Sequence, residues 1–377
     1  MILIGADFIP TKSNIELFEK GDTGALFGRE LEEILSEADF RIFNLESPLC
    51  DILNPIRKNG KNFSAPSKVI NLYKKAKTDL FTLSNNHILD QDEQGLFSTV
   101  DLLQKNGIAY VGAGNDPGEA AKPFYFSHNG KKIGVYACCE NEFSIVSETN
   151  AGANPFDPLE TPDHIVRLKK QSDYVIVLYH GGKEYYRYPT PLLQKNCRKL
   201  IEKGADLVVC QHSHCIGCEE KYLSGTIVYG QGNFLFDNSD KEVWQTGILI
   251  KIDDDGAVGY IPLAKSGNSV RLAEGEKAEE ILNNFKNRSE EIKADNFVKN
   301  NYRAFAKKKI NDYLYMINGR HSFAFRAVDK LSGHRLSRIK LRRAYGENEK
   351  LILKNYLECE SLKEIISEGI SDDNKAR

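Results

Sequence analysis

The fold of this chain can be inferred from one stretch, Phe81-Thr82-Leu83-Ser84-Asn85-Asn86-His87-Ile88-Leu89-Asp90. It begins with a short apolar run bounded by polar residues, which predicts a buried strand of a parallel sheet. The polar cluster that follows lies at the carboxyl end of this strand, the edge at which open α/β sheets bind ligands. The alternative is that Ser84, Asn85 and Asn86 only form a turn and cap the next helix.

The rest of the chain alternates short apolar runs with segments of helical spacing. This alternation predicts an α/β fold. At 377 residues the chain is long enough for one large domain and a smaller one. The alternation ends near residue 265, so we predict one α/β domain over residues 1–265. The remaining residues, 266–377, are predicted to form a basic and mostly helical region.

The composition is that of a soluble globular protein, with 41% hydrophobic and 28% charged residues. The formal net charge of −2 indicates no polyanionic partner for the chain as a whole. The sequence shows no signal peptide, and no apolar run approaches the roughly 18 residues of a membrane span. We therefore expect a cytoplasmic protein, with peripheral contact to a membrane as an alternative. Its eight scattered cysteines are expected to be free thiols.

Side chains suited to metal binding follow five of the predicted strands. They are Asp7, Glu46, Asn86 with His87, His180, and His212 with His214. Oxygen and imidazole ligands that meet at one sheet edge suit Zn²⁺, Mn²⁺ or Fe better than Mg²⁺ alone. A carboxylate between two such ions, about 3.5–4 Å apart, helps to activate water and to hold a phosphoryl group. Each residue taken alone could instead have a structural role, since an aspartate at a strand end often caps a helix and a buried histidine is often only hydrogen-bonded.

The order of these motifs along the chain resembles that of a known family. The motifs are Gly5-Ala6-Asp7, Asn44-Leu45-Glu46, Asn85-Asn86-His87-x-x-Asp90, Tyr179-His180-Gly181-Gly182, His212-x-His214 and Gly232-Asn233-Phe234. Over residues 1 to about 262 the chain resembles the capsule-synthesis CapA (PgsA) family of poly-γ-glutamate biosynthesis proteins, within the calcineurin-like metallophosphoesterase superfamily. The resemblance implies a four-layer α/β/β/α sandwich, here with a mostly helical carboxyl-terminal extension.

The resemblance also implies a role for each matching residue. It implies a divalent transition metal, one or two ions of Mn, Fe or Zn, bound by Asp7, Glu46, Asn86, His180, His212 and His214. It implies that His87 acts on the leaving group. At the same sheet edge we predict substrate-binding residues, namely Lys61, Asn85, Glu184, Tyr185 and Asn233. The alternative for Tyr185 is packing within its loop.

The chain departs from the superfamily pattern at the first metal. The superfamily's Asp-x-His is here Asp7-Phe8-Ile9, Gln211 replaces a glycine, and Glu46 replaces an aspartate. We therefore expect either one bound ion or two, of which the second binds weakly.

The resemblance implies a phosphoesterase-type hydrolase in which metal-activated water attacks a phosphoester, linked to the synthesis of capsule, poly-γ-glutamate or another surface polymer. Its substrate is expected to be a small phosphorylated or γ-glutamyl compound. One alternative is a non-catalytic accessory or scaffold protein of polymer synthesis with the same fold. The other is metal-dependent hydrolysis of γ-glutamyl amide bonds.

The carboxyl-terminal region has a local excess of positive charge from Arg303 to Arg343. Its cations, which include Lys307, Arg320 and Arg338, outnumber the two acids Asp312 and Asp329. Such an excess can attract a polyanion or an anionic membrane surface. The alternative is a solvated basic face. No sequence-specific nucleic-acid binding is expected, because no module signature is present.

Overall fold

The computed structural model describes residues 1–317, 323–359, 361–362 and 365–366. Arg320, one of the cations noted above, lies outside the described residues. In chain order the strands are β1 (Ile2–Asp7), β2 (Phe40–Asn44), β3 (Leu80–Thr82), β4 (Ala109–Val111), β5 (Ala113–Gly114), β6 (Phe124–His128), β7 (Lys131–Cys139), β8 (Gly152–Ala153), β9 (Tyr174–His180), β10 (Leu207–Gln211), β11 (Glu219–Tyr222), β12 (Gly225–Tyr229), β13 (Thr246–Ile252), β14 (Val258–Ser266) and β15 (Ser269–Leu272).

Helices connect these strands and continue beyond them. In chain order they are α1 (Ile15–Lys20), α2 (Thr23–Phe27), α3 (Arg29–Glu37), α4 (Ile70–Lys75), α5 (Asp92–Lys105), α6 (Pro117–Ala120), α7 (Glu160–Lys169), α8 (Pro191–Glu202), α9 (Gly275–Glu291), α10 (Phe297–Ile317), α11 (Phe323–Leu331), α12 (Arg335–Ala344) and α13 (Glu347–Glu358). Their starts follow local rules: α8 begins with Pro191 after Thr190, whose hydroxyl accepts from the Leu193 N–H at 3.0 Å.

The strands form two large sheets with parallel centres. The first has the order β15-β14-β13-β1-β2-β3-β4, and β1 to β4 pair in parallel. The second has the order β11-β12-β10-β9-β7-β6, and β7, β9, β10 and β12 pair in parallel. Within each parallel set, all carboxyl ends lie at one edge of the sheet. Antiparallel strands such as β13 and β6 flank these sets.

The two sheets pack face to face and carry helices on their outer faces. Ile4 and Ile42 of the first sheet share one buried cluster with Val209 of the second. Neighbouring Leu3 faces the opposite way, into a cluster shared with α3 and α4, as the two-residue period of a strand requires. The outer face of the second sheet packs against α7 and α8, through residues such as Ile165. The predicted four-layer α/β/β/α sandwich is confirmed.

The chain divides into two compact units, Met1–Asn300 and Asn301–Arg377. The domain boundary that we predict near residue 265 stays a prediction. The structure adds that β14 runs through this position and that the first sheet continues to β15. The eight cysteines are free thiols. Among the described residues, no helix combines the length and the apolar character needed to cross a membrane.

Candidate metal centre

The predicted ligands meet where the parallel strands of both sheets end. Asp7 is the last residue of β1, and Glu46 follows β2. His180 is the last residue of β9, and His212 follows β10. Because both sheets present their carboxyl ends here, residues from four strands can approach one another. The structure brings together two overlapping groups of candidate ligands, and Glu46 belongs to both.

The first ligand group consists of Glu46, His180 and His212. His180 is its centre: its Nε2 lies 3.2 Å from Glu46 Oε1 and 3.1 Å from His212 Nδ1. The amide oxygen of Asn86 lies 3.1 Å from the same nitrogen. The Asn86 amide nitrogen donates to Glu142 at 2.8 Å, which directs its oxygen toward the centre. Four of the six predicted ligands, Glu46, Asn86, His180 and His212, are therefore close enough to share one ion.

The second ligand group consists of Asp7, Glu46 and His214. His214 Nδ1 lies 3.1 Å from Asp7 Oδ2, and the other Asp7 oxygen accepts from the Asn44 amide at 2.7 Å. Ile9, which stands where the superfamily has a histidine, is buried in the apolar cluster of the first sheet. The second group thus has fewer ligands than the first.

Glu46 is the least satisfied polar group of the centre. Its side chain is buried, and neither carboxylate oxygen accepts a well-directed hydrogen bond from the described residues, although His180 Nε2 lies 3.2 Å from Oε1. Burial, reinforced by the neighbouring charge of Asp7, raises the pKa of Glu46 to about 8. Buried polar groups are normally paired, so a carboxylate left in this state indicates a missing partner. A cation between the two ligand groups supplies such a partner.

The two ligand groups hold their histidines in different protonation states. Burial lowers the pKa of His180 to about 4 and lowers that of His212 as well. Burial also opposes protonation of His214, but the carboxylates of Glu46 and Asp7 prevail and raise its pKa to about 9. Burial favours a neutral Asp7, but its hydrogen bond with His214 lowers the pKa of this carboxyl overall. His214 and Asp7 thus form a buried ion pair.

The loop after β10 positions His212 and His214 in unusual backbone conformations. Their φ angles are 89° and 52°, in the left-handed region that non-glycine residues rarely adopt. Such strain persists where surrounding structure imposes it, and it clusters at functional sites. The His214 ring stacks on Trp244, with centroids 4.6 Å apart and planes at 27°. The loop therefore fixes both imidazoles, and Trp244 shields one of them from water.

His87 lies beside the first ligand group and is held by residues that the sequence analysis did not assign. Its Nδ1 lies 2.6 Å from Asp90 Oδ2 and 3.2 Å from Lys58 Nζ. Lys58 also forms an ion pair with Asp90, although the Lys58 side chain is only 2% exposed. The ring of Phe63 packs on His87 at 4.4 Å. The spacing of Asp90 from His87 was a usable signal, but nothing in the sequence separates Lys58 from Lys61.

The predicted substrate-binding residues divide into internal and surface positions. Asn85 is buried, and its amide nitrogen donates to Asn44 Oδ1 at 3.2 Å and to the Leu45 carbonyl at 2.9 Å. Asn233 Oδ1 lies 3.0 Å from His214 Nδ1, so this residue adjoins the second ligand group. Lys61 is exposed, and Glu184 is half-buried. Their roles toward a substrate stay predictions.

Tyr185 lies at the rim of the second ligand group. Its ring centroid is 6.2 Å from that of His214, and Lys241 Nζ lies 3.9 Å from the ring. The side chain is exposed, and its backbone N–H donates to the Ser213 carbonyl at 2.8 Å. Tyr185 is thus attached to the histidine loop while its ring remains available at the surface.

The residues of this centre fit a divalent transition metal. Carboxylate oxygens, an amide oxygen and neutral imidazole nitrogens are the ligands that Zn²⁺, Mn²⁺ and Fe²⁺ share. The Glu46 carboxylate, which accepts no well-directed hydrogen bond from the described residues, belongs to both groups. The structure contains candidate ligands for one ion in the first group and an incomplete set for another in the second.

Comparison with known proteins identifies a family match over most of the first unit. The family model described as bacterial capsule synthesis protein PGA_cap matches residues 3–238. The capsule biosynthesis protein CapA of Bacillus anthracis is 26% identical over 246 residues, which cover 63% of this chain and 59% of that protein. The PGA biosynthesis protein CapA of Bacillus subtilis (strain 168) is 29% identical over 219 residues, 55% of this chain and 56% of that protein.

The match thus spans less than two thirds of the length of either relative. Among solved structures, a phosphatase from Mycoplasma pneumoniae is similar with a TM-score of 0.43 and 15% identity. That similarity covers 70% of this chain and 92% of the phosphatase.

Proposed function

Because the chain belongs to the bacterial capsule synthesis protein PGA_cap family, we propose that it is a metal-dependent phosphoesterase-type hydrolase in the synthesis of a surface polymer such as poly-γ-glutamate. The observation that carries the proposal is the buried Glu46 carboxylate, which accepts no well-directed hydrogen bond from the described residues and belongs to both groups of candidate ligands. A protein that keeps a raised-pKa carboxylate at such a position bears a cost in stability that a bound cation relieves.

In this proposal Glu46, Asn86, His180 and His212 hold one divalent ion, and Asp7 and His214 hold a second, weaker one. A bound ion supplies Lewis acidity toward a phosphoryl or carbonyl oxygen of the substrate. The chain supplies orientation: Glu142 directs the Asn86 oxygen, and Trp244 fixes the His214 ring. The positive φ angles after β10 keep both loop histidines pointed into the centre without further rearrangement.

His87 is the proposed proton donor to the leaving oxygen. Asp90 engages Nδ1, so Nε2 is the ring nitrogen that remains for a proton at the substrate. A general acid of this kind contributes roughly 10²–10⁴-fold to a rate. The ring of Phe63, with its centroid 4.4 Å from that of His87, limits the movement of the imidazole. His87 therefore acts in the reaction without binding metal itself.

We infer that the substrate is small, anionic and phosphorylated, with a γ-glutamyl compound as the alternative. The exposed ring of Tyr185 and the charge of Lys61 are available to a substrate at the surface. A phosphoryl group and the tetrahedral intermediate of amide hydrolysis both carry negatively charged oxygens, which a centre of this kind stabilises. A panel of substrates separates the two chemistries.

The test combines metal content with turnover. Protein loaded in turn with Mn²⁺, Fe²⁺ and Zn²⁺ is assayed for bound ions and for hydrolysis of p-nitrophenyl phosphate, bis(p-nitrophenyl) phosphate and γ-glutamyl-p-nitroanilide. We expect at least one bound ion and turnover of a phosphoester that falls about 100-fold or more in His87→Asn. The control His164→Asn changes a histidine of α7 outside the centre. No bound ion after any loading contradicts the proposal.

A second candidate function is that of a non-catalytic accessory protein. The observation that favours it is Ile9, an apolar side chain buried where the superfamily has a metal ligand, beside an ion pair of Asp7 and His214. A protein that binds one ion firmly but hydrolyses no member of the panel supports this candidate. Turnover that depends on His87 excludes it.

A further inference from the structure

Two buried N–H groups beside His214 lack an acceptor. Trp244 Nε1 and Asn233 Nδ2 make no well-directed hydrogen bond with the described residues, although these two residues are only 5% and 8% exposed. An indole N–H and an amide N–H can only donate, and buried donors are normally paired. We name these two groups the donor pair. A bound cation would satisfy Glu46 but not the donor pair, so an oxygen acceptor is missing here as well.

His214 contacts both residues of the donor pair. Its Nδ1 lies 3.0 Å from Asn233 Oδ1, which leaves Nδ2 as the end of this amide without a partner. Its ring stacks on that of Trp244, with centroids 4.6 Å apart. His214 belongs to the second ligand group. The donor pair therefore adjoins the second group, as His87 adjoins the first.

Phenyl rings pack around the donor pair without adding a polar group. The Phe236 ring centroid lies 4.9 Å from that of Trp244 and 5.7 Å from that of His214. The ring of Phe63 lies 5.7 Å from Phe236 and 4.4 Å from His87, so a continuous row of rings joins Trp244 to the proposed proton donor. Because phenyl rings offer no strong acceptor, this row cannot satisfy the donor pair.

The indole N–H faces the rim of the centre at Tyr185. Burial and the charge of Glu184 raise the pKa of Tyr185, whereas the Trp244 N–H opposes this rise, so this N–H lies near the Tyr185 hydroxyl. The Tyr185 side chain is 38% exposed, and Lys241 Nζ lies 3.9 Å from its ring. An incoming oxygen can therefore replace the hydroxyl by moving an exposed side chain rather than the core, and Lys241 adds positive charge at the point of entry.

The missing acceptor matches an oxygen of a phosphoryl group. Without substrate a water molecule can serve, since Asn233 and Trp244 border a cavity of about 20 Å³, which has room for one water. A phosphoryl group has several non-bridging oxygens, so it can meet the metal centre and still offer an oxygen to the donor pair. A γ-glutamyl amide has a single carbonyl oxygen at its scissile bond, which the metal centre itself would engage. Building on the proposed function, we propose that Trp244, together with Asn233, binds a phosphoryl oxygen of the substrate and so selects a phosphoester over an amide.

The first test observes the indole N–H directly in the wild-type chain. Trp244 is the one tryptophan of the sequence, so isotope-labelled protein gives a single indole signal in a nitrogen–proton correlation spectrum. Protein loaded with diamagnetic Zn²⁺ is titrated with inorganic phosphate and, separately, with glutamate. We expect phosphate to move the indole proton downfield in a saturable way, because a new charge-assisted hydrogen bond forms, and glutamate to leave it in place. A signal that phosphate does not move, or that glutamate moves equally, overturns the proposal.

The second test measures the affinity of the Zn²⁺-loaded protein for inorganic phosphate by isothermal titration. Trp244→Phe keeps a ring beside His214 but lacks the N–H, so phosphate should bind about tenfold more weakly. The matched control Phe236→Leu removes a ring from the same cluster without removing a donor, so affinity should change less than about twofold. Zinc content should stay at the wild-type level in both variants. Equal losses of phosphate affinity overturn the proposal, because they assign the effect to packing on His214.

These outcomes separate this inference from the proposed function. If the chain binds Zn²⁺ and hydrolyses phosphoesters while the indole signal and the phosphate affinity of Trp244→Phe stay unchanged, the proposed function stands and this inference fails. If the chain binds neither a metal ion nor phosphate, both fail.

Discussion

The two ligand groups of the candidate metal centre are equally buried but differ in charge. In the first group, His180 meets a second imidazole, an amide oxygen and the Glu46 carboxyl, and burial outweighs the nearby acids and lowers the pKa of His180 to about 4. In the second, His214 faces the Asp7 carboxylate, and although burial opposes protonation, nearby carboxylates raise its pKa to about 9. Burial therefore acts in the same direction on both histidines: it prevails at His180, whereas the charges of Glu46 and Asp7 and the hydrogen bond to Asp7 prevail at His214.

This difference determines which group is ready to bind metal. A metal ligand must be deprotonated, so the neutral His180 and His212 can bind an ion at once. In the second group the proton on His214 occupies the place of a cation beside Asp7. Ile9 adds no ligand there. We therefore expect one tight site in the first group and one weak site in the second.

The largest effect is expected from removing the central ligand of the first group. His180→Ala takes away the imidazole that approaches Glu46, Asn86 and His212, so affinity for the tight ion should fall more than about 100-fold. Isothermal titration of metal-free protein measures this. His164→Ala, on α7, is the control and should bind as the wild type does. Unchanged affinity in His180→Ala contradicts the assignment of the tight site.

The next largest effect, on the free energy of unfolding, is expected from breaking the ion pair of Lys58 with Asp90, which holds His87 beside the first ligand group. Lys58→Met leaves the buried Asp90 without its cation, and breaking a buried pair in this way costs about 3 kcal/mol. Lys61→Met, in the same loop but exposed, should cost less than about 0.5 kcal/mol. Urea unfolding of the two variants makes the comparison. Equal losses of unfolding free energy show that Lys58 has no special role in holding His87.

A pH-dependent effect on stability follows from Glu46 in the metal-free protein. Its folded pKa of about 8 exceeds the ordinary value of 4.5, so the folded state keeps a proton that the unfolded state releases. The resulting stability is complete below about pH 4.5 and is lost as pH rises toward 8. Relative to Glu46→Gln, the wild type should lose roughly 2 kcal/mol of unfolding free energy between about pH 5 and pH 7. A difference independent of pH contradicts a protonated Glu46.

The smallest effect is expected from completing the second group. Ile9→His restores the missing imidazole near Asp7 and His214, at the cost of a polar group in an apolar cluster. At a Mn²⁺ concentration that fills the tight site but not the weak one, the measured metal content should rise from about one ion per chain in the wild type toward two in Ile9→His. Ile9→Leu keeps the apolar volume and should remain at about one. If the wild type already binds two ions with equal affinity, the two groups do not differ as proposed.

The parallel strands and the polar residues at their ends could be predicted from local sequence, whereas the four-layer sandwich and the role of each ligand came from the family resemblance. Short apolar runs followed by Asp7, Glu46, His180 or His212 predict parallel strands with polar residues at their carboxyl ends. Parallel pairing then places the strand ends of each sheet at one edge of that sheet, and the packing of the two sheets brings the two edges together. The turn between β6 and β7 also agrees with its local sequence, since Asn129 and Gly130 have φ angles of 48° and 75°, which suit a two-residue hairpin.

Tertiary structure decided what each of these residues does. Asp7 and His214 are 207 residues apart, and only their contact explains why one histidine is protonated while its neighbour is not. Lys58 and Lys61 are alike in sequence, but folding buries the first against Asp90 and leaves the second in solvent. Sequence thus determined which side chains reach the sheet edge. Charge state and pairing depend on burial and on distant neighbours, which only the assembled fold provides.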